Sequence, residues 1–119
     1  MAHDAHITGR VSELKAITAL IANGYEVAEP VVAEAYDLLI RKEGEDRTHR
    51  VQVKTCRVRE DREAIVVNAR RNNGESYTVN DCDYLIGVLE DEVYMFECRG
   101  MGEYWATAGN VDTHWAKLA

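Results

Sequence analysis

Gln52 and Lys54 are the residues of this chain whose types and spacing point most directly to chemistry. In the stretch His49-Arg50-Val51-Gln52-Val53-Lys54-Thr55, Val51, Val53 and Thr55 alternate with Arg50, Gln52 and Lys54. That is the period of a strand with unlike faces. Gln52 and Lys54 then project from one face, with β-carbons roughly 6–7 Å apart. The amide oxygen can ligate a hard cation, and the ammonium can hold an oxyanion or a water. Alone, the stretch fits an ordinary polar strand face better. Two carboxylates upstream sharpen it. Glu13 lies four and seven residues before Ile17 and Leu20, on the apolar stripe of a helix. A carboxylate at the edge of a buried face costs free energy unless it is paired or bound to a metal. Asp37 interrupts an apolar run, and Asp is among the poorest strand formers. It is a candidate ligand.

These residues need elements to position them. Thr8 can cap a helix over Gly9–Asn23, stopped by Gly24, with Val11, Leu14, Ile17, Leu20 and Ile21 as its buried stripe. Strands are predicted over 25–28, 36–41 and 47–57. The last two are joined by the hairpin loop Glu43-Gly44-Glu45-Asp46. Such a hairpin can bring Asp37 beside Gln52 and Lys54, register permitting. A charged turn at 59–63 precedes a strand over 64–68, and Arg70-Arg71-Asn72-Asn73-Gly74 reads as a basic loop. A short helical or irregular connector over 77–82 leads to a second hairpin, 84–89 with 93–97. Tyr104-Trp105 falls in a less regular segment. Asn110 can cap a last helix in which Val111, Trp115 and Leu118 share a face.

At 119 residues the chain predicts one domain, 1–119, with 46% hydrophobic and 29% charged residues typical of soluble globular proteins. No run approaches a membrane span, so no membrane partner is expected, and the N-terminus lacks signal-peptide features. Cys56, Cys82 and Cys98 are isolated and odd in number, which predicts a reducing, cytoplasmic setting. His3-x-x-His6 reads as a frayed terminus rather than a metal pair.

The net charge of −7 conceals an uneven distribution. Residues 1–40 carry two basic and six acidic side chains, and residues 72–119 two basic and nine acidic. Residues 41–71 carry ten basic and six acidic ones. Phosphate binding depends on local charge more than on the total. An alternating solvated face explains 57–63 equally well.

The order is a helix carrying Glu13, a strand, a strand carrying Asp37, and a strand carrying Gln52-x-Lys54. This resembles the PD-(D/E)XK nuclease superfamily. The matching text is Gly9-x-x-x-Glu13, Gly24-Tyr25-x-Val27-x-x-Pro30, Tyr36-Asp37-Leu38, Val51-Gln52-Val53-Lys54-Thr55, and Tyr77 with Asp83-Tyr84. It is closest to small members, the group I intron homing endonucleases and Holliday-junction-resolvase-like proteins. Tyr36 replaces the proline that often precedes the aspartate, and Gln52 replaces the acidic residue of the last motif. The resemblance implies an α/β (α+β) restriction-endonuclease-like core, an N-terminal helix packed on a mixed sheet with a short C-terminal helix. It also implies a Mg²⁺-dependent DNA endonuclease, with Mn²⁺ as a substitute. Asp37, Gln52 and Glu13 would hold metal, and Lys54 would act on the attacking water and the phosphate. Arg10, Arg50, Arg57, Arg59, Arg70 and Arg71 are the candidate DNA contacts. A homo-oligomer, dimer or tetramer, is expected because one such set cuts one strand. Tyr94, Phe96, Tyr104, Trp105 and Trp115 are its candidate interface. The alternative from another class is a weakly active or inactive DNA-binding or assembly module on the same fold. Site-specific and junction-directed cleavage stay open.

Overall fold

Small residues let the first helix lie close to the sheet. The computed structural model describes residues 4–119, the Arg62 side chain excepted, so His3 of the His3-x-x-His6 pair lies outside the described residues. Helix α1 (Asp4–Ala22) is already helical at Asp4, so Thr8 lies inside it rather than capping it. Gly24, at φ +85°, ends it: the Asn23 and Gly24 N–H groups donate to Ala19 O at 3.1 Å and Ile21 O at 3.0 Å. The predicted buried stripe is only partly buried. Leu20 packs inward and Ile17 is half-buried, whereas Val11, Leu14 and Ile21 are 43, 48 and 59% exposed. The inner side is Ser12, Ala16, Ala19 and Leu20. The Ser12 hydroxyl meets Thr55 Oγ1 at 2.7 Å, which satisfies the one polar group on that side.

The strands are β1 (Tyr25–Ala28), β2 (Leu38–Lys42), β3 (His49–Thr55), β4 (Arg57–Arg59), β5 (Ala64–Asn68), β6 (Tyr84–Leu89), β7 (Glu92–Glu97), β8 (Glu103–Thr107) and β9 (Ala116–Lys117). Six form a mixed sheet in the order β1-β2-β3-β6-β7-β9. Its centre is the parallel pair β3–β6, and the remaining pairs are antiparallel. β4, β5 and β8 make a second, antiparallel sheet. α1 covers one face of the large sheet, with Ala16, Leu20, Leu38, Ile40, Val51, Val53 and Ile86 in one core. The small sheet and α2 (Val111–His114) cover the other, around Ile65, Val67, Leu85, Phe96, Tyr104 and Trp115. The result is the α+β nuclease-like architecture that the sequence implies, an N-terminal helix on a mixed sheet with a short C-terminal helix.

Several boundaries differ from expectation. β2 begins at Leu38, so Asp37 sits just ahead of the strand. The long third strand divides at Cys56, because β3 and β4 belong to different sheets. Tyr104-Trp105 is regular strand β8, whose partner β5 lies about forty residues upstream. Asn110 does not cap α2 with its side chain; its Oδ1 accepts from the Thr107 N–H at 2.8 Å. The helix stops at His114, so Trp115 enters the second core while Leu118 packs against the first. Of the five aromatic interface candidates, Tyr94, Phe96, Tyr104 and Trp115 are core, and Trp105 alone is exposed, at 57%.

Gly87 lies opposite Lys54 in the β3–β6 pair. A β-carbon there would come within 2.8 Å of Cys56 Sγ and 2.9 Å of Val67 Cγ2. Glycine therefore sets the close approach of the two sheets beneath the site. Among the described residues no helix is long and apolar enough to cross a membrane.

Candidate active site

Asp37 is held by backbone on both sides of Gln52. Its N–H donates to Val51 O at 2.8 Å, and its Oδ2 accepts from the Val53 N–H at 2.9 Å. The β2–β3 register, Leu38 opposite Val51, puts Asp37 across from Gln52. Val51 and Val53 pack toward α1, so Gln52 and Lys54 point to the opposite face. Gln52 is 92% buried, an unusual depth for a glutamine, and its Nε2 makes only a long 3.4 Å contact to Val53 O. Its amide oxygen is left for another partner.

The charges beside it are pushed toward neutrality. Burial raises the Asp37 carboxyl above the ordinary carboxylate range; Glu13 and Glu29 add to this, while the Val53 N–H and Lys54 oppose it. Burial lowers the Lys54 ammonium, with Asp37 opposing. A carboxylate moved up and an amine moved down, each acting on the other's charge, are characteristic of sites that handle protons. The Lys54 Nζ lies 5.0 Å from the centroid of the Tyr77 ring.

Glu13 reaches the same region from α1. Arg10 Nη1 donates to Glu13 Oε1 at 3.0 Å and to Glu29 Oε1 at 2.6 Å, bridging the two acids. A cleft of about 320 Å³ is lined by Arg10, Glu13, Glu29, Tyr36 and Asp37. Glu29 stands at a strand end with no informative spacing, and only the fold brings it to Arg10.

Among the described residues no three His, Cys, Asp or Glu side chains converge as a metal cluster. The donors at hand are the Asp37 carboxylate and the Gln52 amide oxygen, with Glu13 across the cleft. An all-oxygen set of this kind fits a hard divalent cation such as Mg²⁺ or Mn²⁺ better than a soft one.

The basic residues are mostly engaged. Arg50 is latched inward, to Asp83 Oδ1 and Oδ2 at 3.3 Å, Asn80 O at 2.6 Å and Val79 O at 2.9 Å. Its backbone N–H also donates to Asp83 Oδ2 at 2.8 Å. Arg59 pairs with Glu103 and Arg71 with Asp81, while Arg70 bonds Gly74 O. Arg57 is exposed on β4 and has no such partner among the described residues.

The family described as PD-(D/E)XK endonuclease matches residues 3–105, and the chain belongs to it. It is thereby placed among nucleases. Among solved structures, that of a bacterial homing endonuclease, I-Ssp6803I, is similar with a TM-score of 0.72. The likeness covers 87% of this chain and 78% of that one at 24% identity, and it is a likeness of fold. No curated protein matches the chain.

Proposed function

We propose that this protein is a metal-dependent DNA endonuclease that hydrolyses phosphodiester bonds. The observation that carries the reading is the Asp37 Oδ2 to Val53 N–H bond, which fixes a half-buried carboxylate between Gln52 and Lys54. Asp37 and Gln52 would hold Mg²⁺, or Mn²⁺ in its place, with Glu13 contributing across the cleft. When bound, the ion supplies Lewis-acid polarisation of the phosphate. Lys54, as the ammonium, orients the attacking water and offsets charge on the phosphate. The fold likeness to I-Ssp6803I favours cleavage of the homing type over Holliday-junction resolution. Arg57, Arg59, Arg70 and Arg71 are assigned to the DNA backbone. Arg10, which bridges Glu13 and Glu29, and Arg50, which holds Asp83, Asn80 and Val79 together, are assigned to holding the site, whereas Arg59 and Arg71 each hold a single acid. Three buried free thiols, Cys56, Cys82 and Cys98, support a cytoplasmic setting.

Gln52 offers the test of the metal assignment. Gln52→Glu should lower the Mg²⁺ concentration for half-maximal cleavage, because a charged oxygen binds a hard cation more strongly. A metal titration of cleavage rate reads this directly. Unchanged metal dependence would remove Gln52 from the ligand set.

A homo-oligomer is part of the same proposal, and α1 supports it. Ile7, Val11, Leu14, Thr18 and Ile21 are exposed on the side opposite the buried one. They recur at alternating steps of four and three, the 3.5-residue seam along which helices pair. A second copy presents the matching seam, and a two-fold axis would supply two cutting sites. Light scattering should show a dimer or tetramer, and Leu14→Glu should shift it toward monomer. A wild-type protein that stays monomeric across concentrations would contradict this.

A further inference from the structure

Among the described residues Tyr77 is the one aromatic side chain set against the Lys54 amine, and the surrounding chain fixes it there. Its N–H donates to Ala69 O at 3.0 Å, and its carbonyl accepts from Cys98 Sγ at 3.5 Å. On one side the segment 70–76 is closed by the Arg71 N–H to Glu75 O bond at 2.7 Å and the Gly74 N–H to Arg71 O bond at 2.9 Å. On the other, Asp81 Oδ2 accepts from the Thr78 N–H at 2.8 Å. The ring is half-buried against the second core. Lys54 Nζ stands 5.0 Å from its centroid and Arg71 Cζ 5.9 Å from it. Arg71 is itself tied to Asp81 at 3.3 Å. One ring thus faces two cations, one of them the proposed working amine.

We propose that Tyr77 is a positioning residue, holding the Lys54 ammonium over its ring so that the N–H donors stay aimed at water and phosphate. The inference rests on the nuclease reading of Lys54. A ring face attracts a cation through its quadrupole. Unlike a carboxylate, it neither takes the proton nor neutralises the charge. Burial raises the Tyr77 phenol, with Asp37 adding to it, so the ring stays neutral while Lys54 works. The requirement is for an aromatic face rather than a hydroxyl. Phe should serve and Leu, of similar apolarity, should not.

The test uses the full chain and two independent readouts. In steady-state cleavage of plasmid DNA with Mg²⁺, Tyr77→Leu should lose about tenfold in kcat, the scale of a partly desolvated cation–π contact. Its KM should change by less than about twofold, and Tyr77→Phe should stay near wild type. Equal loss in Phe and Leu, or a loss confined to KM, would overturn the proposal. Proton NMR of the free protein decides the geometry without any activity. The Lys54 ε-methylene should carry an upfield ring-current shift in wild type and Tyr77→Phe that Tyr77→Leu lacks. Absence of that shift in wild type overturns the proposal even if Tyr77→Leu fails to fold. An inactive wild type that shows the shift would instead sink the nuclease reading and leave the contact standing.

Discussion

Asp37→Ala and Lys54→Ala are each expected to lose at least ~100-fold in Mg²⁺-dependent cleavage rate while remaining folded. Neither side chain contributes to a core. Asp37 stands ahead of β2 with one carboxylate oxygen on the Val53 N–H, and Lys54 is half-buried on the face away from α1. The ionised Asp37 also has a thermodynamic signature. Its pKa is raised in the fold, chiefly by burial and then by Glu13. A carboxyl raised above its unfolded value loses stability as pH climbs from the unfolded pKa through the folded one, and the whole penalty is present above both. Asp37→Asn keeps an oxygen for the Val53 N–H and removes the buried charge. It should therefore be inactive yet melt higher than wild type at neutral pH, with the gap closing below about pH 4. Scanning calorimetry at two pH values, beside a cleavage assay, measures both. A fully active variant at either position would end the assignment.

The Arg50–Asp83 latch is expected to matter most for stability. Desolvation alone would raise Asp83, but the side-chain and backbone hydrogen bonds from Arg50 outweigh it and hold the carboxyl below its ordinary value. Such a group adds stability above the unfolded carboxylate pKa, and that stability is lost as pH falls through the folded one. Asp83→Asn should cost about 2 kcal/mol at pH 7, the scale of charge-assisted hydrogen bonds in a partly buried pair. In urea denaturation the deficit should shrink from about pH 4 downward, as wild-type Asp83 is itself protonated. A deficit independent of pH would mean that the latch acts through shape alone. The location gives the latch a functional sense. Asp83 O accepts from the Cys98 N–H at 3.0 Å, and the Asp83 N–H donates to Arg50 O at 2.8 Å. The pair therefore pins the start of β6 to β3 two residues before Gln52.

The order of elements was legible because local signals carried it: strand alternation in 49–55, Gly24 as helix stop, and turn residues around 43–46 and 90–91. The hairpin that brings Asp37 near Gln52 was legible too, but its register, Leu38 opposite Val51, is set by the fold. What was illegible depends on tertiary context. The helix has apolar residues on both sides, so periodicity could not say which side meets the sheet; the small side chains of Ser12, Ala16 and Ala19 won because they allow close approach. β8 was missed because its partner β5 is remote in sequence, although the alternation Tyr104 in, Trp105 out, Ala106 in was present. The arginines cluster from 41 to 71 as a DNA surface would, yet Arg50 is spent on Asp83, a pairing that spacing cannot reveal. Glu29 belongs to the site only through folding, and Tyr77, although part of the matching text, meets Lys54 only in the fold.

The most direct test of the central claim is cleavage of supercoiled plasmid by the purified chain, with Mg²⁺ and with EDTA, alongside Asp37→Ala. Wild type with Mg²⁺ should give nicked or linear DNA, wild type with EDTA none, and Asp37→Ala at least ~100-fold less. Cleavage that persists in EDTA, or that Asp37→Ala retains in full, would contradict the claim.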